Sequence, residues 1–308
     1  MSGRLHPYQV SLYEYLSKKW VFMALTMLPA AVVFLSVNLF PIGWALSASF
    51  FEISAYSPLW EWNGLGNFEK VLNDAAFWAS LGRSSLFAVG SVALQVAFGT
   101  ALAFLINREF RGQKLVRAVA LLPYIVPTAV LAYVALWMGS SNFGIINQLL
   151  VRVGVIDQFI PWFGSIQWAM FAVISVASWK FSIFVTILVL ARLQSIPDSL
   201  YEAAAISGAS YYRRFVDITL PNLKGVLFIA ILLRSIWMFN KFDIVFILTN
   251  GGPADVTRIA SIHAYQTAFV EANLGEAAAV STFLFGLLVI AAAVYFTVFE
   301  PSQEVRVE

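Results

Sequence analysis

The stretch Ser195-Ile-Pro-Asp-Ser-Leu-Tyr-Glu-Ala-Ala-Ala-Ile-Ser-Gly-Ala-Ser-Tyr-Tyr-Arg-Arg-Phe-Val-Asp-Ile-Thr-Leu-Pro221 interrupts an otherwise apolar chain and decides how the rest is read. Pro197 stops the preceding helix, because proline offers no N–H and keeps the residue before it out of α geometry. Ser199 and Glu202 have the spacing of a capping box, in which hydroxyl and carboxylate satisfy each other's exposed N–H groups. A short helix is expected to follow, with Leu200, Ala203, Ala204 and Ser207 on one face, and Gly208 suits the left-handed turn that closes it. A second helix from about Ser210 places Tyr211, Phe215 and Ile218 together, and Pro221 is expected to break it. The product is a compact helix-turn-helix, too polar to cross a bilayer.

The surrounding chain says where it sits. Of 308 residues, 60% are hydrophobic and only 12% charged, which indicates a polytopic membrane protein. A net charge of +2 rests on 19 basic and 17 acidic residues, so the basic isoelectric point reflects few charges and nucleic acid is not an expected partner. The absence of cysteine excludes disulfides, thiol catalysis and cysteine-ligated metals.

Residues 1–19 carry Arg4, Lys18 and Lys19 ahead of a first apolar run over 20–47. Ser47-Ala-Ser49 has the look of a cleavage site, yet the run exceeds the ~7–15 residues of a signal-peptide core, so it reads as an uncleaved span. Further runs fall at about 84–106, 115–138, 166–190, 223–248 and 277–299, each long enough for a hydrocarbon core of ~30 Å. None alternates with period two, which selects helices over strands. The expectation is an all-α membrane protein of six spans over 20–299, with the polar loop 195–221 inside that unit and a tail over 300–308.

Basic residues orient it. Arg4, Lys18, Lys19, Arg108, Arg111, Lys114, Arg117, Arg192, Arg213, Arg214, Lys224 and Arg306 fall on one side. Only Lys70, Arg83, Arg152 and Arg258 fall on the other. Both termini and the 195–221 loop are therefore expected in the cytoplasm. Trp20, Trp62, Trp162 and Trp168 near the span ends fit interfacial anchors or plain packing. Three sizeable outer loops, the first over about 51–82 with Asn63-Gly-Leu-Gly66, suit either a docking dish or a cover over the helix ends.

Catalytic patterns are missing. No lysine is followed by serine or threonine, as a phosphate-cradling loop requires, and His6 and His263 lack metal spacing. Transport work must then come from a partner or an ion gradient. Asp243 is the one intramembrane acid on which a gradient-driven secondary transporter would rest. Coupling to a separate ATPase needs instead a structured cytoplasmic handle, and the 195–221 loop supplies one.

Glu202-Ala-Ala-Ala-Ile-Ser-Gly208, continued through Ile218-Thr-Leu-Pro221, resembles the EAA signature of permease subunits in binding-protein-dependent ABC importers. Trp179, Gln194-Ser-Ile-Pro197, Phe239-Asn-Lys-Phe-Asp243, Leu248-Thr-Asn-Gly-Gly-Pro253 and Gly275-Glu-Ala-Ala-Ala279 recur in this order in the carbohydrate-uptake branch. The resemblance covers most of the chain from the second span onward and is densest over 179–281. It implies a MetI-like permease fold and a non-catalytic subunit in the inner membrane. A second homologous permease, an ABC ATPase dimer that binds ATP and Mg, and an extracytoplasmic solute-binding protein would be its partners. It implies that Tyr201, Glu202, Ala203, Ala204, Ala205, Ser207 and Gly208 form a coupling helix seated in the ATPase. Small alanines permit close approach, and Gly208 turns the chain without steric cost. Arg213 and Arg214 either meet acidic ATPase residues or only signal topology.

The resemblance also implies substrate contacts in spans four and five, over 179–184 and 237–240, and with the charged residues beside these stretches the candidate pathway is Trp179, Lys180, Phe181, Phe184, Arg234, Trp237, Asn240 and Asp243. Aromatic rings and an amide suit a carbohydrate. Lys180 and Arg234 lie roughly 16–18 Å deep at 1.5 Å per residue. Cations there cost ~2.5–3.5 kcal/mol on insertion scales. Asp243 is roughly 13 Å from Arg234 along a continuous helix, too far for a direct pair. Either Lys180 snorkels, or acids of the sister subunit pair with both cations, or the substrate is an anionic sugar derivative such as a uronate, phosphate or sulfonate.

Overall fold

A computed structural model describes residues 19–298, apart from Ala55, Pro58 and Glu109. Arg4, His6, Lys18 and Arg306 lie outside the described residues, as do nearly all of the expected terminal segments. The helices are α1 (Lys19–Phe34), α2 (Phe40–Ala48), α3 (Gly66–Asn73), α4 (Ala75–Asn107), α5 (Gln113–Ile125), α6 (Thr128–Met138) and α7 (Ile145–Arg152). They continue with α8 (Ala169–Ser195), α9 (Asp198–Ile206), α10 (Tyr211–Arg214), α11 (Leu220–Phe239), α12 (Asp243–Thr249), α13 (Ala260–Phe269) and α14 (Leu274–Val298). Among the described residues, five helical runs are long and apolar enough to cross a membrane, and a sixth if α5 and α6 count as one bent span.

Two of the expected spans are broken. The run over 115–138 bends by 99° between α5 and α6. Pro127 is the cause: it forces Val126 into an extended conformation (φ −61°, ψ 131°) and restarts the chain as the N-cap of α6. The run over 223–248 also stops early, at Phe239, and resumes as α12 from Asp243. Asp243 therefore does not sit on a continuous fifth span.

Pro221 does not break a helix. A π-helical turn over Phe215–Thr219, in which Leu220 N–H donates to Phe215 O, joins α10 to α11, so helix runs from Tyr211 to Phe239. The wider turn removes the clash between a proline ring and the carbonyl four residues earlier. The same device recurs at Leu35–Leu39, where Phe40 N–H donates to Leu35 O just before Pro41. The expected helix-turn-helix is thus a short helix followed by the foot of the fifth span. The capping box is absent too: α9 starts at Asp198 with Pro197 at its N-cap, so Ser199 is already inside the helix.

α4 and α8 form the spine. Gly99 lies so close to α8 that an added Cβ would stand 2.6 Å from Ser182 O and 2.7 Å from Val185 Cβ. Ser178 Oγ donates to its own helix at Ile174 O (2.6 Å) and reaches Ser91 O of α4 at 3.3 Å. Small residues let helices meet where lipid removes the hydrophobic drive. At the far end, Asp74 caps α4 by accepting from Ala76 N and Phe77 N, which extends this helix well before the expected start. Gln113 and Arg117 both donate to Ile106 O and satisfy that carbonyl at the end of α4.

The outer loops cover helix ends. Buried Asn67 donates to Ser49 O and Phe51 O, while Leu274 N and Gly275 N donate to Ile53 O, fastening the first loop to α14. In the third loop, Asn147 accepts from Ile160 N and Trp162 Nε1. Trp162 and Trp168 pack edge to face, whereas Trp20 and Trp62 are exposed. His263, buried on α13, lies 2.9 Å from Arg258 and 3.4 Å from the Asp74 carboxylate.

Two expectations follow. Gly99→Val should cost roughly 1–3 kcal/mol or more by overpacking, read as a lower unfolding midpoint in detergent. Gly225→Val, with nothing within 4 Å of its Cβ, should change that midpoint little. Burial, and then Arg258, hold the His263 pKa below its ordinary 6.5, against Asp74, Glu271 and Asp255. The unfolded chain binds the proton more readily, so stability should fall as pH drops through 6.5, and this dependence should vanish in His263→Asn.

Candidate functional site

The two helix breaks face one another. Between them lies an open cavity of about 780 Å³ whose lining includes Tyr124, Thr128, Lys180, Phe181, Arg234, Trp237, Asn240, Lys241 and Asp243. Irregular backbone at membrane depth is tolerated where it lines a cavity, and broken helices commonly frame solute sites.

Each charged group has an environment that follows from its neighbours. Pro127 cannot supply the N–H that Pro123 O would meet in an unbroken helix. Lys180 supplies the donor instead: Nζ lies 3.1 Å from Pro123 O and 2.6 Å from Val126 O. Arg234 is 3% exposed, and its Nε donates to Gln95 Oε1 at 2.6 Å. The guanidinium stands 4.8 Å from the Phe181 ring, 5.4 Å from Trp237 and 5.8 Å from Phe184, within cation–π range. Lys241 pairs with Asp243 at 3.0 Å and stands 4.7 Å from Phe181. Among the described residues, neither Lys180 nor Arg234 forms an ion pair.

Of the residues expected to touch substrate, the cavity gathers Lys180, Phe181, Arg234, Trp237, Asn240 and Asp243. Two do not reach it. Trp179 lines a separate apolar groove with Val134, Met138, Trp162 and Trp168, because one step along a helix turns the side chain to another face. Phe184 lies behind the lining and packs edge to face on Trp237 at 5.2 Å. Gln95, Tyr124, Thr128 and Lys241 were not singled out as site residues. A lone glutamine in an apolar span and the Pro123/Pro127 pair were the available signals.

The polar loop is built as a projection. On α9, Glu202, Ala203, Ala205 and Ile206 are exposed, as are Ser207 and Gly208 in the turn that follows, while Tyr201 and Ala204 are half-buried. Gly208 has φ +78° and open space around its Cβ position, so backbone conformation alone calls for glycine there. Tyr201 Oη bonds Thr219 Oγ1 at 2.9 Å, tying α9 to the π-helical turn. Arg192 at the end of α8 donates to Asn222 O (3.0 Å) and Asn222 Oδ1 (3.2 Å) at the start of α11. Ser210 caps α10 by accepting from Arg213 N, and both Arg213 and Arg214 lie in that helix.

A cavity between broken spans, joined to an exposed loop helix, defines a membrane permease. Residues 95–305 match the family of the binding-protein-dependent transport system inner membrane component. The chain is 36% identical over 277 residues to the trehalose/maltose transport system permease protein MalF of Thermococcus litoralis, covering 89% of this chain and 92% of that one. It is 33% identical over 275 residues to the sulfoquinovosyl glycerol transport system permease protein SmoG of Agrobacterium fabrum, covering 89% of each. Its fold is like that in the crystal structure of a bacterial alginate ABC transporter in complex with an alginate pentasaccharide-bound periplasmic protein. There the TM-score is 0.80 at 20% identity, over 95% of this chain and 99% of that one. The chain belongs to this family of inner-membrane ABC importer permeases, and that membership decides against the gradient-driven reading of Asp243.

Replacing Lys180 with methionine should leave the carbonyls of Pro123 and Val126 without their charged donor. The expected cost is about 1–3 kcal/mol, read as a lower unfolding midpoint. Lys180→Arg, which keeps a donor, should recover part of it.

Proposed function

We propose that this chain forms half of the translocation pathway of an ATP-driven importer for a sugar or sugar derivative. The cavity is the solute path, and α9 is the helix gripped by a separate ATPase. Relatives named for trehalose and maltose or for sulfoquinovosyl glycerol support a carbohydrate-class solute. So do the rings of Phe181 and Trp237 and the amide of Asn240 at the cavity. A second permease of the same fold would close the open side, an ATPase dimer would sit below the loop, and a solute-binding protein would dock over the outer loops.

The observation that carries this reading is the mechanical path from α9 to the cavity. Tyr201 ties α9 to Thr219, immediately before α11, and α11 carries Arg234 and Trp237 in a helical run unbroken from Tyr211. The bond from Arg192 to Asn222 couples the foot of α8, which carries Lys180 and Phe181, to the same point. ATP binding would draw the coupling helices of the two permeases together and rock α8 and α11. Hydrolysis would reset them.

Because the chain lacks cysteine, Ala204→Cys gives a single reactive site. In the assembled importer a short bifunctional thiol reagent should join it to the nucleotide-hydrolysing subunit, and the link should depend on nucleotide. Gly208→Val, which forces a β-branched residue to positive φ, should leave ATP hydrolysis running but cut solute uptake roughly tenfold or more. Absence of any link to the ATPase would refute the coupling assignment.

A further inference from the structure

The cavity holds three cations, Lys180, Arg234 and Lys241, against one carboxylate, Asp243. Two of the cations are already engaged. Lys241 is paired with Asp243 at 3.0 Å, and Lys180 completes two backbone carbonyls at a helix break. Arg234 is as buried as Lys180, but it has five donors to satisfy, its hydrogen bonds go only to Gln95 (2.6 Å) and Met238 (3.6 Å), and three aromatic faces surround it. A guanidinium has five N–H donors in a fork suited to a carboxylate, sulfonate or phosphate. Buried arginine without an acid is costly unless something completes it.

Two further features agree. Gln95 turns its oxygen to Arg234 while its Nε2, although buried, has no partner, so the amide is oriented by the cation. Across the cavity, Thr128 opens α6, an eleven-residue helix whose first N–H groups have no intrahelical partner and whose N-terminal end is electropositive.

We infer that the solute is an anionic sugar derivative whose acid group is met by Arg234, with Gln95 as the positioning residue and Lys180 as a structural brace. This rests on the cavity being the pathway and narrows the solute to sugars bearing a carboxylate, sulfonate or phosphate ester. It also separates two cations of similar depth: Lys180 holds the fold, and Arg234 reads the substrate.

The test uses the complete importer in lipid nanodiscs, with Thr128→Cys as the only cysteine in this chain and labelling read by mass on this chain. Reaction rates are compared for a negatively charged methanethiosulfonate (the ethylsulfonate) and a positively charged one (the trimethylammonium). Ser141→Cys, exposed in the third outer loop, is the reference. The anion-to-cation rate ratio at Thr128→Cys should exceed the reference and fall roughly tenfold with Arg234→Gln, the scale expected for losing one charge at close range in a partly dry site. Arg234→Lys should keep most of the ratio. A ratio at or below the reference, a ratio unmoved by Arg234→Gln, or no labelling by either reagent would overturn the inference.

A protection arm separates a sugar acid from a bare anion. Glucuronate, sulfoquinovose and glucose 6-phosphate are compared with glucose and with sulfate at equal ionic strength. At least one sugar acid should slow labelling where glucose and sulfate do not, and Arg234→Gln should abolish that protection. Equal protection by glucose, equal protection by sulfate, or protection by none would overturn it. Labelling does not require ATPase coupling, so its failure and that of the Ala204→Cys cross-link are distinguishable.

Discussion

In hydrocarbon a backbone carbonyl has no water to fall back on, and this constraint organises the molecule. Pro127 removes the N–H that Pro123 O would use, and Val126 turns extended, so the chain exposes carbonyls midway through an apolar run. The nearest remedy would be another helix end or a water. Here it is Lys180, whose own cost in an apolar setting is offset by the two carbonyls it meets. The defect and the cation cancel one another, and the bend they maintain opens the cavity.

The cavity has a second broken wall, and the two breaks have different chemistry. At α5–α6 a proline imposes the break. At α11–α12 no proline is present. Asn240 ends the helix with φ −92° and ψ 10°, and Lys241 pairs with Asp243 as the next helix starts. Pro41 and Pro221, each inside a long helical run, follow π-helical turns that preserve continuity. Continuity at Pro221 has mechanical weight, because movement of the Tyr201–Thr219 contact is then transmitted along an unbroken helix to Arg234 and Trp237. A helix that stopped at Pro221, as the sequence suggests, would end just past the contact that would move it.

Legibility in the sequence follows the range of the interactions. Apolar runs of about twenty residues depend only on local composition, so the existence of the spans and the polar loop could be read directly. Ends were less secure: the cap at Asp74 lengthens α4 beyond what hydropathy marks. At Pro221 proline's local preference says stop, while one extra residue in the preceding turn lets the helix continue. The cavity was legible in its residue types but not in its pairings. Nothing in spacing links Lys180 to carbonyls more than fifty residues away, or Arg234 to Gln95 on another span. Trp179 and Phe184 are aromatic and near the right depth, but depth does not specify the face of a helix, and neither side chain lines the cavity.

That distinction between depth and face bears on any charged residue in a membrane helix. Lys180 and Arg234 look equivalent as isolated cations within apolar runs. Packing separates them, because two carbonyl oxygens take two of the three donors of the compact Lys180 ammonium, whereas a guanidinium spreads five donors over a plane. Gln95 and Met238 engage Nε and one terminal nitrogen of Arg234, and the rings of Phe181, Phe184 and Trp237 stand around the planar group without hydrogen-bond acceptors of the usual kind. The remaining demand is for an oxygen-bearing anion in the plane of the fork. A neutral sugar could offer hydroxyls to that fork, but it would leave the charge uncompensated in a low-dielectric wall. The imbalance of charge at the cavity, with three cations facing one carboxylate that is already paired, therefore argues for an acidic solute more strongly than any single contact does.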